Sequence, residues 1–334
     1  MSAARRLLRP FALLYGGVIG VRNVYYDRWR GAVHSAAVPV ISVGNLTVGG
    51  TGKTPLVIEI VRRLQSWGRR PAILTRGYQG TRSEPADEVL EFHDALPTTP
   101  VVVNRDRVAG AAAACAAHGA DCLVLDDGFQ HRRLARDLDL LLISAMGPPG
   151  IGTLLPAGRL REPLSSLRRA DVLVITRCNQ VEAGHVQAIT VRLRRFAPDA
   201  PVIHAAVEPD ALVAHDGQRL SPAELAGRRV LGVCGIGDPR TFVNSVRELS
   251  GAGSATEIFS DHHRYGADDV RTICAAAERN GAELVVTTRK DWVKLRPLWP
   301  ESAAPLLRLD VRFTLTAGSA EFDVRLHQAL ERRR

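Results

Sequence analysis

The chain has 334 residues, long for one domain and comfortable for two, and its 46% apolar content is ample for buried cores. Five scattered cysteines (Cys115, Cys122, Cys178, Cys234, Cys274) include no C-x-x-C pair, which argues against a disulfide framework and for reduced core thiols in a cytosolic protein; no metal-ligand cluster stands out. The net charge of +9 favours an anionic partner: nucleic acid, anionic lipid or a phosphorylated substrate.

The amino terminus, "RRLLRPFALLYGGVIGVRNVYYDRW", sets Arg5, Arg6 and Arg9 before an apolar run from Phe11 to Val21. As a helix that run spans roughly 16 Å against about 30 Å of bilayer hydrocarbon, too short to cross. No A-x-A-like cleavage site follows promptly. Residues 1–30 therefore read as an interfacial helix, with arginines on headgroups and Phe11, Leu13, Leu14, Val18 and Ile19 in the acyl boundary. An ordinary core helix is the alternative.

Strands and helices then alternate. "VPVISVGN" is a buried strand, "TPLVIEIVRRLQSWG" a helix stopped by Gly68, and "RPAILTRGY" a second strand. "DRVAGAAAACAAHG" is an alanine-rich helix; "DCLVLDDG", "LDLLLISA" and "ADVLVITR" are further strands. The rhythm predicts an α/β fold, a P-loop NTPase-like, mostly parallel sheet with helices on both faces. It weakens at 201–226, where Asp216–Gly217 marks a hairpin turn, and returns with "RRVLGVCGIG", "DPRTFVNSVREL" and "GAELVVTTRKD". The expected division is a helix at 1–30, a P-loop domain at 31–200, a strand linker at 201–226 and a smaller C-terminal α/β domain at 227–334.

The stretch after the first strand carries chemistry. In "GNLTVGGTGKTP", Gly52-Lys53-Thr54 match the end of G-x-x-x-x-G-K-[ST], with Thr47 at the first glycine position and Gly49 and Gly50 inside the loop. The backbone N–H groups of Thr47, Val48, Gly49, Gly50, Thr51, Gly52, Lys53 and Thr54 would form an anion cradle, aided by the positive end of the following helix. Lys53 would reach the β and γ phosphates and Thr54 would ligate Mg²⁺; Pro55 suits a first helical turn. "CLVLDDGFQHRR" supplies the second element, a buried strand that delivers Asp126 to the metal with Asp127 beside it. The Asn-Lys-x-Asp guanine element is missing: Thr176, Arg177, Cys178 and Asn179 stand there, which favours ATP.

Together "SVGNLTVGGTGKTP", "LVLDDGFQHRRLARDLDLLLI", "LLPAGRLREPLSSLRRAD", "FSDHHRY" and "TTRKDWVKL" resemble the tetraacyldisaccharide 4'-kinase family of lipid A biosynthesis, from the first helix to about residue 295. The resemblance implies a peripheral enzyme at the cytoplasmic face of the bacterial inner membrane, with two α/β domains and an active site in the cleft between them. It implies transfer of the γ-phosphate of ATP, with Mg²⁺, to the 4'-hydroxyl of an acylated glucosamine disaccharide 1-phosphate, giving lipid IVA. It further implies Asp87 as the base for the sugar proton, His262 as the residue that orients it, and Glu88 near the metal. Spacing around Glu84–Asp87 departs from the family's, and Arg289 replaces a glutamate before Lys290 and Asp291. Gln130 and His131 would face the same pocket, and Arg107 and Arg159 would hold phosphate oxygens. The tail "ERRR" reads as solvated or headgroup-facing.

The expected partners are the glycolipid and an anionic lipid surface, with no stable protein partner. A membrane-associated ATPase of the partitioning type is the rival, but Val48 stands where its signature lysine belongs. A nucleic-acid-stimulated NTPase is suggested by charge alone, without a recognition motif, so no nucleic-acid partner is expected.

Overall fold

The computed structural model describes residues 7–77, 86–147 and 153–331, apart from the side chains of Arg30 and Ala252. Arg5, Arg6, Tyr78, Glu84 and the terminal Arg332–Arg334 of the sequence reading lie outside the described residues.

In chain order the elements begin with helix α1 (Arg9–Arg28), strand β1 (Val40–Asn45), α2 (Lys53–Ser66), β2 (Pro71–Thr75), α3 (Asp87–Ala95), β3 (Val101–Val103), α4 (Arg107–His118) and β4 (Cys122–Asp126). They continue with β5 (Leu138–Ser144), β6 (Val172–Thr176), α5 (Ala183–Arg194), β7 (Val202–Val213) and β8 (Arg219–Leu220). The last are β9 (Val230–Cys234), α6 (Arg240–Ser250), β10 (Ser254–Ile258), α7 (Ala267–Arg279), β11 (Leu284–Thr288), α8 (Arg289–Leu295), β12 (Leu306–Ala317) and α9 (Ser319–Glu331).

The chain forms two compact units: 1–79, 96–206 and 313–334 in the first, 80–95 and 207–312 in the second. The division is not linear in sequence. Helix α3, expected within the P-loop domain, belongs to the second unit, and α9, expected at the end of the C-terminal domain, belongs to the first. Contacts explain both. Asp94 pairs with Arg289 and with Arg308 at 2.7 Å, holding α3 in the second unit. Phe322, Leu326 and Ala329 of α9 are buried, Asp323 pairs with Arg63 of α2, and His327 stacks on Trp67 at 3.9 Å.

In the first unit, parallel strands run in the order β7-β6-β5-β1-β4-β2-β3. Strands β1, β2, β4, β5 and β6 are buried at every position, which is why they read as near-continuous apolar runs, broken inside only at positions such as Ser42 and Asp139. Residues of opposite parity serve opposite faces. Val40, Leu123 and Leu125 pack with Ala111 and Ala114 of α4, and Leu141, Ile143, Leu173 and Ile175 with Val186 and Ile189 of α5. The register aligns these positions on one face, and α2 and α9 contact strands on the other.

In the second unit, β10-β9-β11-β12 are parallel. Val230, Cys234 and Val286 face Phe242 and Val246 of α6; Leu231, Val233 and Val285 face Ile273 of α7 and Trp292 of α8. The turn at Asp216–Gly217 joins β7 to antiparallel β8, with Gly217 at φ 90°.

Helix α1 lies only partly on the protein. Phe11, Leu13, Leu14, Val18 and Val21 are exposed, Leu13 by 79%. Ile19, expected in the acyl boundary, is instead buried with Ala12. The seam exists because Gly16 lets the helix approach Leu154: a Cβ there would sit 2.8 Å from Leu154 Cδ1. Among the described residues no helix is long and apolar enough to cross a membrane.

Candidate active site

The phosphate loop runs from the end of β1 to the start of α2, so the helix N-terminus opens at Lys53 with Pro55 in its first turn. Gly49 and Gly52 have φ of 105° and 89°, values that glycine adopts without strain. Side chains brace the loop from inside. Asn45 Nδ2 donates to Thr51 Oγ1 at 2.9 Å, and Thr176 Oγ1 donates to the Thr51 carbonyl at 2.8 Å. Gln130 Nε2 donates to the Asn45 carbonyl at 2.9 Å.

A second segment straps the loop from outside. Val48 N donates to the Arg159 carbonyl at 2.9 Å, Arg161 N to the Leu46 carbonyl at 2.7 Å, and the Arg159 guanidinium to the Val48 carbonyl at 3.0 Å. Thr47 bridges Leu160. The structure therefore places Arg159 at the loop, with its guanidinium on loop backbone.

Strand β4 delivers Asp126, buried at its last position, and Asp127 follows in the left-handed region at φ 50°. That turn sends the second carboxylate to Lys53 Nζ, 3.4 Å away, and to Arg161 Nη1, 2.6 Å away. Burial raises the Asp127 pKa, but Lys53 and Arg161 outweigh it and hold the group below its usual value. Arg107, at the start of α4, is buried and donates to the Asn104 carbonyl at 2.6 Å. Burial lowers its pKa against the opposing charges of Asp126 and Asp127. Burial, then Arg107 and Arg136, push His131 down to about 4, so it is neutral at physiological pH. Arg161 escaped the sequence reading, although it lies two residues beyond Arg159 in the same quoted run.

These residues fit Mg²⁺. Thr54 and Asp126 are hard oxygen donors beside the loop, and among the described residues no group of three or more His, Cys, Asp or Glu forms a closed cage. Magnesium in phosphoryl-transfer sites is held in this way, by one or two protein oxygens plus the phosphates.

The second unit carries a separate cluster. Asp87 and Glu88 open α3, and His262 follows β10 with φ 60°. His262 Nδ1 lies 3.0 Å from Asp87 Oδ2, and Lys294 Nζ lies 3.2 Å from the same oxygen. Lys290 Nζ is 4.0 Å from it and 2.7 Å from Asp261. Glu88 Oε1 is 3.9 Å from His262 Nε2, which places Glu88 in this cluster. Burial raises the Asp87 pKa, yet the His262 hydrogen bond and the Lys294 and Lys290 charges bring the net below the ordinary value. Asp291 is buried beneath the cluster, accepting from Gly235 N at 2.8 Å and Thr288 Oγ1 at 2.7 Å, a role in local architecture. Arg289 pairs with Asp94 and Asp310. Lys290 and Lys294 went unassigned in the sequence because Asp87, the carboxylate they share, is remote in the chain.

The chain matches the family model described as LpxK, tetraacyldisaccharide-1-P 4'-kinase, over residues 4–331. The chain belongs to the tetraacyldisaccharide 4'-kinase family. It is 37% identical to the tetraacyldisaccharide 4'-kinase of Bdellovibrio bacteriovorus, over 90% of this chain and 92% of that protein. It is 36% identical to that of Chlorobaculum tepidum, over 99% of both. A crystal structure of "apo" form LpxK from Aquifex aeolicus in complex with ATP is 30% identical, with a TM-score of 0.77, over 98% of this chain and 99% of that one. The two α/β units are thus a tetraacyldisaccharide 4'-kinase fold, and the P-loop NTPase-like sheet is its first unit.

Proposed function

We propose that this chain transfers the γ-phosphate of ATP to the 4'-hydroxyl of tetraacyldisaccharide 1-phosphate, giving lipid IVA. The family match over residues 4–331 carries the reading. In it, the loop amides and Lys53 hold the triphosphate, Thr54 and Asp126 hold Mg²⁺, and Arg107, Arg159 and Gln130 serve the phosphate pocket. Glu88, which the family resemblance assigned to the metal, belongs to the Asp87–His262 cluster of the second unit. When bound, Mg²⁺ neutralises charge on the β and γ phosphates.

The sugar oxygen attacks the γ-phosphorus, its proton passes to Asp87, and the bond to the β–γ bridging oxygen breaks so that ADP leaves with the electron pair. The 3.0 Å His262–Asp87 hydrogen bond supports the division of labour between base and orienting residue. His262 and Lys294 share Asp87 Oδ2, so that oxygen is held in place. A positioned base contributes typically about 10²–10⁴ in rate. Asp127 completes the site by fixing Lys53.

The same reading places the enzyme peripherally at the cytoplasmic face of the inner membrane, docked through the exposed apolar face of α1. The partitioning-type ATPase is not favoured, since residues 4–331 match the kinase family. The test is incubation with Mg-ATP and acylated disaccharide 1-phosphate in mixed micelles, followed by mass spectrometry of the lipid. Gain of one phosphate is expected. ATP turnover with phosphate delivered only to water would overturn the proposal.

A further inference from the structure

Glu162 is a carboxylate with 0% exposure, one residue beyond the Arg161 that clamps Asp127. A buried carboxylate is costly unless charges and donors surround it. Its partners come from two directions. Arg22 at 3.1 Å and Asn23 Nδ2 at 3.1 Å reach it from α1, and Arg169 at 2.8 Å reaches it from the helical turn that precedes β6.

The contacts continue on both sides. The Arg169 guanidinium lies 4.3 Å above the ring of Phe129, two residues past Asp127, and Phe129 packs so closely on β1 that a Cβ at Gly44 would lie 2.5 Å from its own. From α1, Tyr15 Oη donates to the Arg161 carbonyl at 2.9 Å. Further along, Arg132 donates to the Asn23 carbonyl at 2.9 Å and to Asp27 at 2.6 Å. The helix with the exposed apolar face is thus bonded to the segment that straps the phosphate loop.

We infer that occupation of α1 by a lipid surface and occupation of the phosphate loop by ATP are energetically coupled, with Glu162 as the positioning residue that joins them. The inference rests on the docking reading above. Seating α1 on lipid restrains the residues that hold 161–162, so ATP meets a loop that has already lost part of its freedom and binds tighter. Linkage makes the effect reciprocal: ATP must tighten lipid docking by the same factor.

The experiment uses the full chain, Mg²⁺ with a non-hydrolysable ATP analogue, and phosphatidylglycerol vesicles. Analogue affinity is measured with and without vesicles, and vesicle partition with and without analogue. Both ratios are expected to agree at about fivefold or more, within the usual range of coupled sites. The double variant Arg22→Met, Asn23→Ala keeps the Glu162–Arg169 pair and the exposed apolar face. It is expected to partition onto vesicles with the ratio reduced toward one, and Glu162→Gln is expected to do the same. Vesicle binding by wild type with unchanged analogue affinity overturns the coupling alone. Failure to bind vesicles overturns the docking reading and the coupling with it. Full coupling in the double variant overturns the route through Glu162.

Discussion

At the scale of single residues, the described non-glycine positions with positive φ are three: Asp127, Arg177 and His262, at φ of 50°, 61° and 60°. All follow strands, two of them in the clusters that the proposed mechanism uses. Such backbone costs of order 1–3 kcal/mol and persists where surrounding contacts over-determine it; here those contacts are the Lys53–Asp127–Arg161 and Asp87–His262–Lys294 groups. Lys53→Ala, Asp126→Ala and His262→Ala are each expected to lower kcat by about 10²–10³-fold with the thermal midpoint little changed. Product quantified by mass spectrometry beside calorimetry checks this, and wild-type turnover in the His262 variant removes that residue from the mechanism. His131 gives a pH prediction. Its folded pKa of about 4 lies below its ordinary 6.5, so between those values the unfolded chain binds the extra proton. The stability from keeping His131 neutral is complete above pH 6.5 and lost as pH falls toward 4. Denaturant titrations should show wild type losing about 1–3 kcal/mol more than His131→Gln over that interval.

At the scale of elements, helix α1 presents two faces with different consequences. Leu13 and Leu14 are exposed, whereas Ile19 is buried on the seam beside Gly16. Leu13→Asp with Leu14→Asp is expected to abolish vesicle partition while changing stability by no more than about 0.5 kcal/mol per site. Ile19→Ala is expected to cost about 2 kcal/mol, since it empties a packed position. Co-sedimentation with vesicles and denaturant titration separate the two. The orientation of α1 was not legible in the sequence, because Phe11 to Val21 is apolar nearly all round and its periodicity selects no face. The phosphate loop was legible: glycine at positive φ, a lysine and a hydroxyl residue at a strand-to-helix junction depend on local backbone geometry alone. Its strap was not, since Val48 and Arg159 lie more than a hundred positions apart.

At the scale of the whole molecule, the proposed docking on an anionic lipid surface draws on both the +9 charge and the exposed apolar helix. Attraction to an anionic surface is screened within about 10 Å at 0.1 M salt and about 3 Å at 1 M, whereas apolar insertion is not. Partition onto phosphatidylglycerol vesicles is therefore expected to fall at least about tenfold between those concentrations, and partition onto neutral vesicles to change little; sedimentation across a salt series measures both. The sequence alone determined the α/β class, the phosphate loop, the acids at the end of β4 and, through quoted motifs, the family, because each is written in short contiguous runs that fold by local rules. Only the tertiary structure decided which unit owns α3 and α9, that Arg161 clamps Asp127, and that Glu162 ties α1 to the segment that straps the loop. Those outcomes rest on pairs 140 and 175 residues apart, such as Arg22–Glu162 and Asp87–His262, whose meeting is set by tertiary packing and leaves no periodic trace in the chain.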